Sequence, residues 1–187
     1  MAGNGEARDR FQRIFKAHGE QVLLYFKRRT DPESARDGAA DTFLVAWRRI
    51  DEIPVGNELP WLYGVARRVL SQQRRALGRR IRLTRKLSGV AQPEMALPET
   101  VVVRNTEYVE VQAALGRLRP CDRELLRLAV WEELPHAEIA AILGCSTHAV
   151  DQRLHRATKK LTRELSRSGH RARENQVRIP EAGEEAS

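Results

Sequence analysis

The sequence predicts an all-α protein made of two small helical domains joined by a flexible linker. Apolar residues recur every three or four positions along most of the chain, which is the spacing of one helix face. This spacing is lost in residues 88–106, where SGVAQPEMALPETVVVRNT holds two prolines and few charges. We therefore expect domains at residues 10–87 and 108–166, an N-terminal extension at 1–9, a linker at 88–107 and a disordered tail at 167–187.

The composition favours a polyanionic partner. Lys and Arg number 33 against 25 Asp and Glu, which gives a formal net charge of +8. The two cysteines, Cys121 and Cys145, have no CxxC partner, so we expect no disulfide framework and a reducing compartment. No stretch approaches the roughly 20 apolar residues that span a bilayer, and the first residues lack the apolar core of a signal peptide. We therefore expect a cytoplasmic protein with no membrane partner.

Three helices are expected in the first domain. An apolar stripe at helical spacing runs over residues 10–29. Asp31 and Pro32 then supply a cap and a first-turn proline for a second helix. Residues 51–60, DEIPVGNELP, contain two prolines, a glycine and an asparagine, which is typical of a loop. The third helix is expected over residues 61–80, with its arginines on the outward face.

Four short helices are expected in the second domain, and the last two form a helix-turn-helix. Gly144 suits the left-handed position that ends the first of these two, and Ser146 is a natural N-cap for the next. The final helix carries an inward apolar stripe at helical spacing. The members of this stripe are Val150, Leu154, Ala157, Leu161 and Leu165.

The outward face of the final helix predicts DNA binding. A helix-turn-helix places the start of its second helix in the major groove, where Arg and Gln reach base edges and Lys or Arg meets phosphates. The residues expected on this face are His148, Gln152, Arg153, His155, Arg156, Lys159 and Lys160. The alternative interpretation is an ordinary pair of packed helices whose basic face is only solvated.

Three segments resemble the extracytoplasmic-function (ECF, group 4) sigma factors, members of the primary sigma superfamily of bacterial transcription initiation factors. SARDGAADTFLVAWRRID at residues 34–51 is similar to their region 2.2, and WLYGVARRVLSQQRR at residues 61–75 is similar to a further stretch of region 2. Residues 114–161, from ALGRLRP to RATKKL, resemble region 4. The resemblance implies that residues 10–87 form region 2 and residues 108–166 form region 4. It also implies a protein that binds core RNA polymerase and directs initiation at promoters with −35 and −10 elements.

The resemblance places two binding surfaces in the first domain. The region 2.2 helix would dock on the β′ clamp helices of the polymerase through Asp37, Asp41, Phe43, Trp47 and Arg48. The alternative for the two aromatic residues is that they fill the domain core, which we expect for Phe43. The loop between Ile53 and Leu59 would capture a flipped base of the −10 element. The residues expected at the −10 element are Asn57, Glu58, Trp61, Arg67, Arg68, Arg74 and Arg75.

In the second domain, five residues of the final helix match the positions that the family uses at the −35 element: His148, Gln152, Arg153, His155 and Arg156. Asp151 departs from the Lys or Arg that the family often has there, and Pro135 replaces a usual Ser cap. These departures concern the promoter sequence rather than the class of protein. The resemblance further implies contact with the β flap of the polymerase and a partner anti-sigma factor.

Other classes of function receive little support. The sequence has no P-loop, HExxH or nucleophile-elbow motif, so we expect neither enzymatic activity nor a cofactor. His148 and His155 are seven positions apart and lack the usual ligand spacing, so we expect no metal site. The alternative within transcription is a free-standing helix-turn-helix regulator, which would bind DNA without polymerase.

Overall fold

The computed structural model describes the backbone of residues 3–88 and 106–177, and the side chains of residues 5–84 and 109–167. All of its secondary structure within these residues is helical, which confirms the predicted fold class. The α-helices are α1 (Gly3–Lys27), α2 (Pro32–Arg48), α3 (Glu58–Ser88), α4 (Thr106–Gly116), α5 (Pro120–Val130), α6 (His136–Leu143) and α7 (Thr147–Val177), and a 3-10 turn spans Ile50–Glu52. The chain divides into two compact units. The first contains α1 to α3 and is assigned residues 140–144 at the end of α6, and the second contains α4, α5, the start of α6 and α7.

The first unit is a three-helix arrangement around an aromatic and aliphatic core. Val22, Tyr25 and Phe26 of α1 are fully buried, and Leu62 of α3 is buried with them. The rings of Tyr25 and Tyr63 lie 5.4 Å apart, so aromatic contact joins α1 to α3. This core orients the outward faces of α2 and α3, which carry the predicted binding residues.

The second unit has a smaller aliphatic core. Leu115, Leu118, Leu126 and Ala157 are buried together, and partly buried side chains pack around them: Val111 of α4, Trp131 after α5, and Leu154 and Leu161 of α7. The guanidinium of Arg123 donates to the carbonyls at the end of α4, at 2.8 Å to Leu115 and 2.7 Å to Gly116. This side chain therefore satisfies carbonyl groups that the end of a helix leaves without intrahelical partners.

The predicted signals of the helix-turn-helix are confirmed. The Pro135 carbonyl accepts hydrogen bonds from Glu138 and Ile139, which begins α6. Gly144 has φ +67°, the left-handed backbone expected where α6 ends. The hydroxyl of Ser146 accepts from the backbone N–H of Ala149 at 3.2 Å, so Ser146 caps α7 as predicted.

Helix lengths differ from the prediction. Helix α1 begins at Gly3, within the predicted extension, and α3 runs from Glu58 to Ser88 rather than over residues 61–80. Helix α7 continues to Val177, so it includes residues 167–177 of the segment predicted as a disordered tail. Extending an existing helix needs no new nucleus, and Arg, Ala, Glu and Gln are good helix formers.

Two predicted segments fall outside the described residues. The linker lies there apart from its two ends, which belong to α3 and α4, and so do residues 178–187 of the predicted tail. Among the described helices, none is long and apolar enough to cross a membrane.

Candidate functional site

Burial of the α7 stripe turns a basic face outward. Val150 and Ala157 are buried, and Leu154 and Leu161 pack partly against the core. Since helix positions repeat every 3.6 residues, the opposite side of α7 must face solvent. Six of the seven predicted residues are exposed there, and only Arg153 is half-buried. The exposed six are His148, Gln152, His155, Arg156, Lys159 and Lys160.

Hydrogen bonds organise the start of this face. The side-chain amide of Gln152 lies 2.8 Å from Nε2 of His148, one turn earlier. The guanidinium Nε of Arg156 donates to the carbonyl of Gln152 at 3.3 Å, so its side chain lies back along the helix. These contacts restrain three side chains that are expected to meet DNA, which lowers the entropy lost on binding.

Asp151 is paired across the helix-turn-helix. Its carboxylate is hydrogen-bonded to Nδ1 of His136, the first residue of α6, and both side chains are about half exposed. The sequence prediction named the unfavourable acid but did not find its partner. A spacing of 15 residues gives no periodic signal for the pair, because the turn between the helices brings them together.

The outward face of α2 combines charges with an exposed aromatic ring. Asp37, Asp41 and Arg48 are exposed, and Trp47 keeps 40% of its surface accessible. Phe43, in contrast, is only 6% exposed. Its ring packs against Phe15 with centroids 4.8 Å apart, so Phe43 fills the core, as the alternative interpretation expects.

The sequence prediction missed two apolar residues near Trp47. Phe15 of α1 is 52% exposed and Leu44 of α2 is 46% exposed. We call Phe15, Leu44 and Trp47 the apolar patch. Beside it lies a surface groove of about 710 Å³ lined by Gly5, Arg8, Phe11, Gln12 and Trp47. Leu44 precedes Trp47 by three residues, one helical turn, and this spacing could have identified it.

The loop at residues 54–57 is a closed turn. The backbone N–H of Asn57 donates to the carbonyl of Pro54 at 3.3 Å, and Gly56 has φ +80°. The Asn57 carbonyl then accepts a hydrogen bond from the backbone N–H of Trp61 at 3.3 Å, and this bond belongs to the first turn of α3. The side chain of Asn57 is exposed, and that of Val55, which the prediction missed, is 83% exposed.

Glu58 differs from Asn57 because its carboxylate is engaged with the loop backbone. Hydrogen bonds from its own N–H and from that of Gly56 lower the pKa of Glu58 below its ordinary value, and the positive charges of His18 and Arg10 act in the same direction. The side chain is half-buried. Glu58 is therefore held ionised against the turn that it follows.

The four predicted arginines of α3 all lie at the surface. Arg67, Arg68 and Arg75 are exposed. Arg74 is exposed as well and donates to the carbonyl of Arg29 at 3.3 Å. Trp61 at the start of the helix is half-buried. The arrangement gives a basic strip along the middle of α3.

Comparisons with known proteins identify the family. Residues 108–161 match the family described as Sigma-70, region 4. The chain is 31% identical over 161 residues to the ECF RNA polymerase sigma factor SigC of Mycobacterium tuberculosis (strain CDC 1551 / Oshkosh), which covers 85% of this chain and 83% of that protein. This chain belongs to the ECF RNA polymerase sigma factors. It is also 29% identical over 164 residues to the RNA polymerase sigma factor YlaC of Bacillus subtilis (strain 168), covering 86% and 95% of the two chains.

Solved structures of related proteins have the same fold as this sigma factor. The sigma factor RpoE from Bartonella quintana, in complex with the anti-sigma factor NepR, aligns with a TM-score of 0.63 and 25% identity over 81% of this chain and 96% of that chain. CnrH in complex with the cytosolic domain of CnrY aligns with a TM-score of 0.57 and 22% identity over 83% and 87% of the two chains, which supports the fold alone.

Family membership confirms the resemblance found in the sequence and decides between the alternatives. The chain is an RNA polymerase sigma factor rather than a free-standing regulator, and the family is not enzymatic. The region 4 match covers most of α4, all of α5 and α6, and α7 as far as Leu161. The helix-turn-helix of this sigma factor therefore lies within region 4.

Proposed function

We propose that this sigma factor recognises the −35 element through the outward face of α7, as the family resemblance implies. The observation that carries the proposal is the exposed basic face of a capped helix-turn-helix within region 4. The amide of Gln152 suits an adenine edge, and Arg153 and Arg156 suit guanine. Each bidentate contact is worth roughly 1 to 3 kcal/mol, so two or three would set promoter choice. His148 and His155 add donors or acceptors, and Lys159 and Lys160 meet flanking phosphates.

The −10 element is assigned to the 54–57 loop and the start of α3. Base capture needs polar groups that reach the edge of an unstacked base, and the exposed Asn57 offers both a donor and an acceptor. Glu58 and Trp61 flank it, and the basic strip of Arg67, Arg68, Arg74 and Arg75 follows the DNA backbone. Strand opening then uses the free energy of binding unpaired bases.

Core polymerase is assigned to the outward face of α2. Trp47 supplies apolar area, and Asp37, Asp41 and Arg48 set the register on the β′ clamp helices. Phe43 supports this face from the core, since its ring packs beneath it against α1. Region 4 would meet the β flap. A protein that acts together with RNA polymerase would do so in the cytoplasm.

An anti-sigma factor is the proposed regulatory partner. The solved relatives RpoE and CnrH are both seen with partner proteins, NepR and the cytosolic domain of CnrY. The apolar patch of Phe15, Leu44 and Trp47 offers such a partner a surface whose coverage would also block polymerase.

In vitro transcription tests the proposal. Core RNA polymerase is supplied with fragmented genomic DNA from the source organism, with and without this protein, and transcript starts are mapped. We expect new start sites that share spaced −35 and −10 elements, and we expect Arg156→Ala to weaken use of those sites. If polymerase gains no start sites while the protein alone shifts DNA, the promoter assignments are wrong.

A further inference from the structure

Helix α1 is tied to the beginning of the 54–57 loop. The guanidinium of Arg10 donates a hydrogen bond to the carbonyl of Ile53, 43 residues further along the chain. Arg10 is half-buried, and the side chain of Ile53 is buried in the core of the first unit. The residue that leads into the loop is thus fixed on both its backbone and its side chain.

The far end of the same loop is fixed by Glu58. The backbone N–H groups of Glu58 itself and of Gly56 lower the pKa of its carboxyl group, which places the carboxylate against the loop backbone. The backbone N–H of Asn57 donates to the Pro54 carbonyl at 3.3 Å, which closes the turn between these two ends. A turn anchored at each end presents the side chains at its tip to a ligand.

Those tip side chains are an unusual pair. Val55 is strongly exposed although it is apolar, and nothing in the described fold covers it. Asn57 is exposed two positions later. An apolar side chain next to an amide suits an unpaired base, which has an apolar face and a hydrogen-bonding edge.

We propose that Arg10 and Glu58 are positioning residues that hold the 54–57 loop in its base-binding shape, with Val55 against the face of one unpaired base and Asn57 on its edge. The inference rests on the proposed role of this loop at the −10 element. A loop already folded loses less conformational entropy when it binds, so the shape itself contributes to promoter opening.

Holoenzyme reconstituted with variant proteins tests this inference on a promoter mapped by the transcription experiment. Two quantities are measured: affinity for a duplex fragment that holds only the −35 element, and the rate of opening of the whole promoter, followed by permanganate reactivity. Arg10→Ala and Glu58→Ala should each slow opening about tenfold, the size expected for loss of a charged hydrogen bond, with −35 affinity unchanged. Arg10→Lys keeps a donor at position 10, and Glu58→Gln keeps an acceptor at position 58. Each of these variants should recover most of the rate of promoter opening.

Matched controls separate this inference from the function on which it rests. Arg13→Ala and Glu20→Ala remove exposed charges from α1 and should leave opening unchanged. If Asn57→Ala has no effect on opening, the −10 role of the loop is wrong. If Asn57→Ala slows opening while Arg10→Ala and Glu58→Ala do not, the positioning role is overturned. It is also overturned if both variants lower the melting temperature and the conservative substitutions recover nothing.

Discussion

At the scale of single residues, caps that act within one turn stabilise individual helices. Asp31 precedes α2, and its carboxylate accepts from the backbone N–H of Ser34 at 2.9 Å. We predict that Asp31→Ala lowers the free energy of unfolding by about 1 kcal/mol, because one N–H at the start of α2 loses its partner. Equilibrium denaturation at neutral pH measures the change, and Asp31→Ser, which keeps a capping oxygen, should stay within a few tenths of a kcal/mol of the natural protein.

The same cap predicts a pH dependence. The hydrogen bond from the Ser34 backbone lowers the pKa of Asp31 below its ordinary value of 3.8. The carboxylate therefore contributes its full stabilisation above that value and loses it as the pH falls through the lowered pKa. Asp31→Ser should gain stability relative to the natural protein as the pH is lowered from 5 toward 3. An identical difference at both pH values would contradict the role of the charge.

The structural role of a residue was predictable from the sequence where it depends only on neighbouring positions. Asp31, Gly144 and Ser146 act within four positions of the backbone that they cap or turn, so sequence spacing was enough. The pair of His136 with Asp151, and that of Arg10 with Ile53, depends on how helices fold back on one another. No local pattern marks such contacts, and the side-chain roles that depend on them were missed.

At the scale of helices, close packing of α1 on α2 requires a residue without a side chain. A Cβ built on Gly38 would lie 2.4 Å from the Phe26 ring, which is fully buried. The hydroxyl of Thr42 donates to the Gly38 carbonyl at 2.7 Å, within the same buried contact region of α2. Neither the ring nor the helix has room to move without disturbing the core.

Substitutions at two helical glycines should therefore have opposite signs. Gly38→Ala should lower the free energy of unfolding by about 1 to 3 kcal/mol through overpacking. In Gly64→Ala the new Cβ meets no atom within 4 Å beyond the adjacent residues and the backbone of α3 itself, so this variant should raise stability by roughly 0.5 to 1 kcal/mol through helix propensity. Denaturant titration of both variants measures the two changes in the free energy of unfolding. A gain in stability for Gly38→Ala would show that the α1 and α2 contact is looser than the structure has it.

Helix type and order followed from periodicity, whereas helix length did not. The apolar stripes of α3 and α7 stop before the helices do, since α3 reaches Ser88 and α7 reaches Val177. Periodicity reports where a core covers a helix, and the apolar stripe in the sequence of each helix ends before the helix does. Backbone propensity can continue a helix past its apolar stripe, and no pattern of apolar residues indicates how far.

At the scale of the whole molecule, the proposed polymerase and DNA surfaces lie on different helices, so they should be separable. Trp47→Ala removes the aromatic part of the apolar patch, and truncation of an aromatic hot spot costs about 2 kcal/mol or more in binding. We predict at least about a 30-fold loss of affinity for core polymerase, measured by competition with labelled natural protein. Leu77→Ala truncates another exposed apolar side chain, on α3, and should leave affinity unchanged.

If Trp47→Ala binds polymerase normally, the α2 surface is misassigned. The thermal midpoint of the variant must be followed alongside, because Trp47 also contacts the Phe11 ring at 5.3 Å. Loss of binding with a nearly unchanged midpoint supports the surface role. A large fall in the thermal midpoint would show instead that Trp47 mainly stabilises the fold.

Because the net charge is +8, the affinity for DNA should fall as the salt concentration rises. Variants of the α7 lysines can show how much of this salt dependence comes from each lysine. Each phosphate contact contributes about 0.9 to the slope of log affinity against log salt on duplex DNA. Lys159→Gln and Lys160→Gln in the holoenzyme should each reduce that slope by about this amount on a −35 duplex, and should weaken promoter and unrelated duplex alike. Gln152→Ala should instead reduce the preference for the promoter sequence and leave the slope unchanged, because an amide meets a base edge rather than a phosphate.

Lys16→Gln, on α1, removes the same charge away from α7 and serves as the control. If it alters the slope as much as the α7 variants do, total charge rather than docking of α7 governs affinity, and the −35 assignment of this face fails.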